Sequence, residues 1–183
     1  MNTIIQFTLM CLYLMIPGAV ANMAPVLAKK INFLNYPIDF NKKYKNKPIF
    51  GSHKTYRGFF FGILAAIVFT YFQKLLYKYS TFQQISFFNF NETSFILIGF
   101  LIGFGVLFGD LIESFFKRRA NLKPGAVWFP WDQLDLVIGA LIFISFVKIP
   151  TWQMILFFLI VAPLFHIFFN HLGYWLGIKS SKW

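Results

Sequence analysis

The sequence predicts an all-α integral membrane protein of about five transmembrane helices, N-terminus outside and C-terminus cytoplasmic. Three observations lead there. Of 183 residues, 58% are hydrophobic and 13% charged, against roughly a quarter charged in a soluble domain. Aromatic residues make up 22%, and the apolar residues gather into runs long enough to span a bilayer. Most of the 17 Lys and Arg residues fall in loops on one side of those runs. Disorder, a collagen-like rod and a coiled coil all need more polar or more periodic sequence. A single cysteine, Cys11, excludes an internal disulfide framework and a thiolate zinc site.

The runs cover residues 4–27, 58–76, 94–116, 131–147 and 154–175. Each is long enough, or nearly so, to cross about 30 Å of hydrocarbon at about 1.5 Å per helical residue. Pro17, Gly18, Asn22 and Pro25 interrupt the first run, which predicts a kink or a re-entrant turn. Ala19-Val20-Ala21 resembles a signal-peptide cleavage site, but no Lys or Arg precedes it, as a signal peptide would need. In the third run Gly99, Gly103, Gly105 and Gly109 form two small-xxx-small pairs, a packing surface for a neighbouring helix. The fourth run is short and calls for bilayer thinning or burial against its neighbours. Trp128, Trp131, Trp152 and Trp175 fall at span ends as an aromatic belt.

Orientation follows from charge. Residues 29–57 hold eight basic side chains, 117–123 four and the C-terminal tail two, against Lys74, Lys78 and Lys148 on the other side. Cytoplasmic loops carry such an excess. The chain thus reads as one transmembrane domain, 1–183, in the cell membrane, whose cytoplasmic loops at about 29–57 and 117–130 form a polar site. Its net charge of +11 suits an anionic leaflet. No nucleic-acid module is present, so no nucleic-acid partner is expected. The triplet Asn91-Glu92-Thr93 in the outer loop is a glycosylation sequon by pattern alone.

The acids locate the chemistry. Asp110, Glu113, Asp132 and Asp135 are four of the six acidic residues, and all lie at the cytoplasmic ends of the third and fourth runs. An unpaired carboxylate near the bilayer centre costs at least ~2.5–3.5 kcal/mol, so these must face a wet, cation-containing cavity. At about 100° per residue, Asp110, Ser114 and Lys117 share one helix face, with Glu113 beside them. Asp132 and Asp135, three apart, share another. Two acidic faces beneath Lys117, Arg118, Arg119 and Lys123 suit Mg²⁺, which favours one or two carboxylates plus substrate phosphates. The bland alternative is ion pairing with the adjacent Lys and Arg. It accounts readily for Glu113 and poorly for Asp110 and Asp132, which border apolar runs.

Residues 51–58, Gly-Ser-His-Lys-Thr-Tyr-Arg-Gly, lack the glycines and leading strand of a Walker A loop. They still place Lys54, Thr55 and Arg57 at the mouth of the second helix, either as phosphate ligands or as a positive-inside anchor. His53, His166 and His171 do not form a metal-ligating set.

The run from Gly109 through Arg119, then Lys123 and Asp132-Gln133-Leu134-Asp135, resembles the signature of CTP:lipid-phosphate cytidylyltransferases. Ser114, Lys117, Arg118 and Lys123 match the phosphatidate branch in spacing. The shorter connecting loop and the Asp-Gln-Leu-Asp close are similar instead to the CDP-archaeol synthase family. So are Pro17 with Asn22, Pro37-Ile38-Asp39, and Gly51 through Gly58. The resemblance implies transfer of CMP from CTP to a lipid phosphate, giving CDP-lipid and pyrophosphate. It implies Mg²⁺ on Asp110, Asp132 and Asp135, with Ser114, Lys117 and Arg118 in the catalytic set. It assigns Lys54, Thr55, Arg57, Lys123, Asn22 and Asp39 to substrate binding. A phosphatidate-specific enzyme, or a non-enzymatic small transporter or lipid-binding protein, is the alternative. A homodimer stays open.

Overall fold

A computed structural model describes residues 3–123 and 126–175. It contains α1 (Thr3–Leu27), a short 3-10 turn (Ala28–Lys30), β1 (Lys43–Tyr44), β2 (Lys47–Pro48), α2 (Tyr56–Leu76), α3 (Ser80–Gln84), α4 (Phe95–Arg119), α5 (Trp131–Ile144) and α6 (Trp152–Trp175). Five long helices therefore stand where the five apolar runs are. Thr3–Lys30, Tyr56–Leu76 and Phe95–Arg119 are long and apolar enough to cross a membrane.

α4 is the central post, packed against α1, α2 and α5. Its glycines divide between two neighbours. Gly99 and Gly103 lie against the backbone of Ile67 and Ile63 in α2, while Gly105 and Gly109 lie against α5. A Cβ on Gly105 would sit 2.6 Å from the Gly139 carbonyl oxygen, so only glycine permits this approach. Gly109 meets the Asp135 backbone in the same way, and that contact sets the depth at which α5 joins α4.

The first run makes no re-entrant turn: α1 is one helix through Pro17 and Pro25. Proline removes the hydrogen bond to the carbonyl four residues back. For Pro17 that carbonyl belongs to Tyr13, and buried Gln73 of α2 donates to it from Nε2 at 2.7 Å. A neighbouring side chain thus replaces the missing backbone donor. For Pro25 the freed carbonyl is that of Ala21, which faces Gly62.

The 31–55 connection is ordered by backbone pairing. β1 and β2 form a small antiparallel hairpin, and Pro37 bridges Thr55. The Ile38, Tyr56 and Arg57 amides donate to the Lys54, Tyr36 and Leu34 carbonyls. Gly51 turns at φ +101°, a region that L-residues other than glycine rarely adopt.

Candidate active site

Near the C-terminal end of α4 lies a cavity of about 360 Å³. Asp110, Glu113, Ser114, Lys117 and Arg118 line it from α4, and Phe50, Gly51, His53 and Lys54 line it from the loop before α2. Asp110, Ser114 and Lys117 occur on one helical face, as their spacing predicts.

Asp110, Glu113 and Asp135 each offer a carboxylate oxygen, all within 4.8 Å of one another. The contact of Gly109 with the Asp135 backbone brings α5's carboxylate beside its neighbour Asp110. Three hard oxygen donors so close suit a small divalent cation that keeps open positions for substrate phosphates. Asp132 lies outside this trio but beside its member Glu113, with which it shares Lys117. Its Oδ1 is 2.6 Å from Lys117 Nζ, and its Oδ2 accepts from the Trp128 amide at 2.9 Å. Glu113 occupies the place in the carboxylate group that the family resemblance gave to Asp132. It also pairs with Lys117 at 2.8 Å, so Lys117 is a strut joining α4 to the start of α5.

Two further cations differ in their pairing. Lys54 Nζ is 2.5 Å from Asp110 Oδ2. Arg118 is 8% exposed, and its Nε has no hydrogen-bond partner among the described residues. A buried guanidinium without a carboxylate is costly unless an anion completes it.

The remaining predicted residues lie outside the cavity lining. Thr55 is the N-cap of α2, its hydroxyl accepting from the Gly58 amide at 3.2 Å. Arg57 donates to the Ile31 carbonyl at 2.9 Å. Asn22 is exposed on α1, and Lys123 is exposed beyond α4. Asp39, 5% exposed, accepts from the amides of Asn41, Phe50 and Gly51 at 2.9, 2.9 and 3.0 Å. Burial pushes its carboxyl upward, but these backbone donors outweigh burial and hold it below the ordinary carboxylate range. Thr55, Arg57 and Asp39 therefore shape the loop that delivers Lys54.

Arg119, which the sequence offers only as one of the cations above the acidic faces, has a structural role that sequence reasoning missed. Its guanidinium donates to the Lys47 and Pro48 carbonyls and lies 4.7 Å from the Phe115 ring centre and 5.5 Å from that of Tyr44. Lys47 Nζ donates back to the Arg119 carbonyl at 3.1 Å, capping the end of α4. No motif announces this clamp; only folding brings positions 47 and 119 together.

The CarS-like CDP-archaeol synthase family model matches residues 3–183. The chain belongs to that family. It is 38% identical over 158 residues to a CDP-archaeol synthase of Methanococcoides burtonii, covering 80% of this chain and 90% of that protein. It is 30% identical over 182 residues, 99% of each chain, to one of Methanococcus aeolicus. A solved structure of an intramembrane enzyme for archaeal membrane lipids biosynthesis shares its fold. The TM-score is 0.71 at 24% identity, over 87% of this chain and 91% of that one.

Proposed function

We propose that the protein transfers CMP from CTP to an archaeal ether-lipid phosphate, giving CDP-lipid and pyrophosphate in phospholipid biosynthesis. Membership of the CDP-archaeol synthase family supports the reaction class. The observation that carries the site is the Asp110–Glu113–Asp135 group beside the Arg118 guanidinium, whose buried Nε lacks a partner among the described residues. One element suits a divalent cation and the other a phosphate, and Asp110, Glu113 and Arg118 line the same cavity.

The chemistry needs little from side chains. A lipid phosphate is already anionic, so one of its oxygens attacks the α-phosphorus directly. The bond from that phosphorus to its bridging oxygen breaks, and the electron pair leaves with pyrophosphate. The protein's task is to align and neutralise two polyanions. Asp110, Glu113 and Asp135 would hold Mg²⁺, which supplies charge neutralisation between the phosphates. Arg118 grips a departing phosphate through its planar fork, and Ser114 donates from its hydroxyl. Lys54, which lines the cavity beside Asp110, would neutralise a second phosphate. Lys117 binds Glu113 and Asp132 together and keeps the α4–α5 junction in register.

In this reading five helices cross the cell membrane, with the N-terminus outside and the site at the cytoplasmic face. The fourteen-to-three distribution of basic residues between the two sides supports that orientation. Purified protein incubated with labelled CTP, Mg²⁺ and a panel of ether and ester lipid phosphates should form labelled CDP-lipid, fastest on the ether substrate. Preference for phosphatidate would reassign the lipid. No product on any lipid, with CTP bound, would leave a binding protein and overturn the reading.

A further inference from the structure

The connection between α1 and β2 does nothing in the reaction just described, yet its surface is unusual. Lys29, Lys30, Lys42, Lys43 and Lys45 are all exposed. The one acid among residues 29–57, Asp39, is buried and saturated by backbone amides. The segment therefore presents positive charge with no exposed carboxylate to offset it. Between the lysines stand large apolar side chains, Tyr36 at 65% and Phe40 at 61% exposure, with Ile31, Phe33 and Tyr44 also exposed. Side chains of this kind are normally covered by a partner or a lipid phase.

The position of the segment names that phase. Phe33 meets Phe60 edge-on at 5.5 Å, and Phe40 meets Tyr56 at 5.5 Å. Tyr56, Phe60, Leu64, Val68 and Phe72 are exposed along α2, one side of a membrane-crossing helix. The aromatic surface of the loop thus continues the lipid-facing surface of α2 past the helix end. Aromatic rings there sit at headgroup level, and lysines beside them reach anionic headgroups.

We infer that residues 29–45 form a docking surface for anionic lipid headgroups, seated in the interface of the leaflet at the polar-site end. Aromatic burial holds the segment at the leaflet, and the lysines select its charge. The segment leads through Asp39 and Gly51 into the loop carrying Lys54, so it would gather anionic lipid beside the cavity mouth. The inference stands on the membrane reading and is independent of the reaction catalysed.

The test uses full-length protein in nanodiscs, with an environment-sensitive probe on Tyr36→Cys or Phe40→Cys in a Cys11→Ala background. Quenching by a nitroxide attached to a lipid at headgroup depth should be at least about threefold stronger with about 30% phosphatidylglycerol than in phosphatidylcholine alone. About 0.5 M NaCl should remove most of that difference by screening. Changing the five exposed lysines to Gln should also remove it. The composition and salt arms carry the test on the native lysines should that variant misfold. Equal quenching in neutral and anionic discs would overturn the charge selection. Probes unquenched in both would place the segment in water, and protection only in discs holding two copies would make it a subunit interface. Either result overturns the inference.

Discussion

Two buried polar regions of this protein answer the same problem in opposite ways. At the seam of α1, α2 and α4, Gln73 donates to the Tyr13 carbonyl, and Thr70 lies 2.9 Å from the Phe95 carbonyl it donates to. Both side chains are neutral, and each donor meets a carbonyl. At the cavity, Asp110 pairs with Lys54, Glu113 and Asp132 share Lys117, and Asp135 has no ion pair among the described residues, while Arg118 keeps an unused Nε. Polar groups that are neutral and matched serve packing. Groups that are charged and unmatched wait for something to complete them, because leaving them so has a free-energy cost that only a ligand offsets.

That contrast breaks most sharply on the carboxylates. Asp110→Asn or Asp135→Asn should lower CDP-lipid formation at least about 100-fold, the scale of losing one preorganised electrostatic element. Thermal stability of the purified protein should hold or rise, since a like-charge contact is relieved. Full activity in either variant would mean that the cation, if one is used, sits elsewhere.

Arg118→Lys comes next. The charge remains while the planar fork is lost, so the CTP requirement should rise roughly tenfold with a smaller change in the lipid requirement. A lipid-specific defect instead would exchange the two substrates in the cavity.

Gln73→Leu probes the matched region. It strands the Tyr13 carbonyl that Pro17 already leaves without its helical donor, and a buried unsatisfied group costs about 1–3 kcal/mol. The expected result is an earlier unfolding transition in detergent with turnover per folded molecule unchanged. An unchanged transition would show that the carbonyl is satisfied by another route.

The smallest effect is the acid dependence of the 31–55 loop. Asp39 has a folded pKa below its unfolded value, near 3.9 for a free Asp. Its contribution is therefore present above that value and lost as pH falls through the folded pKa. Asp39→Asn should flatten the acid limb of the stability curve and leave neutral pH mildly destabilised. Thermal shifts between pH 3 and 6 that match the unsubstituted protein would rule out this role.

Much of the architecture is written in local pattern. Hydrophobic run length and helical period are properties of one segment at a time, and from them five helices are legible with nearly their observed bounds. The crowding of acids near positions 110–135 and the glycine surface of α4 are legible for the same reason. The continuity of α1 is not, because the donor that rescues Pro17 lies on Gln73, sixty residues from Tyr13.

Membership in the site belongs to the second kind of property. Spacing groups Asp110 with Glu113 and Asp132 with Asp135 without choosing among them, and chemistry offers Thr55 and Arg57 as phosphate ligands. Which side chains meet depends on how two helices cross, and here Gly105, Gly109 and Gly139 fix that crossing by backbone contact. It turns Asp135 toward Asp110 and Glu113 and leaves Asp132 to Lys117. Thr55 and Arg57 are taken by backbone groups of the cap and the loop, and Arg119 finds the hairpin only once the chain has folded. A residue's type and spacing are local, whereas the partner that assigns its task comes from another element and exists only in three dimensions.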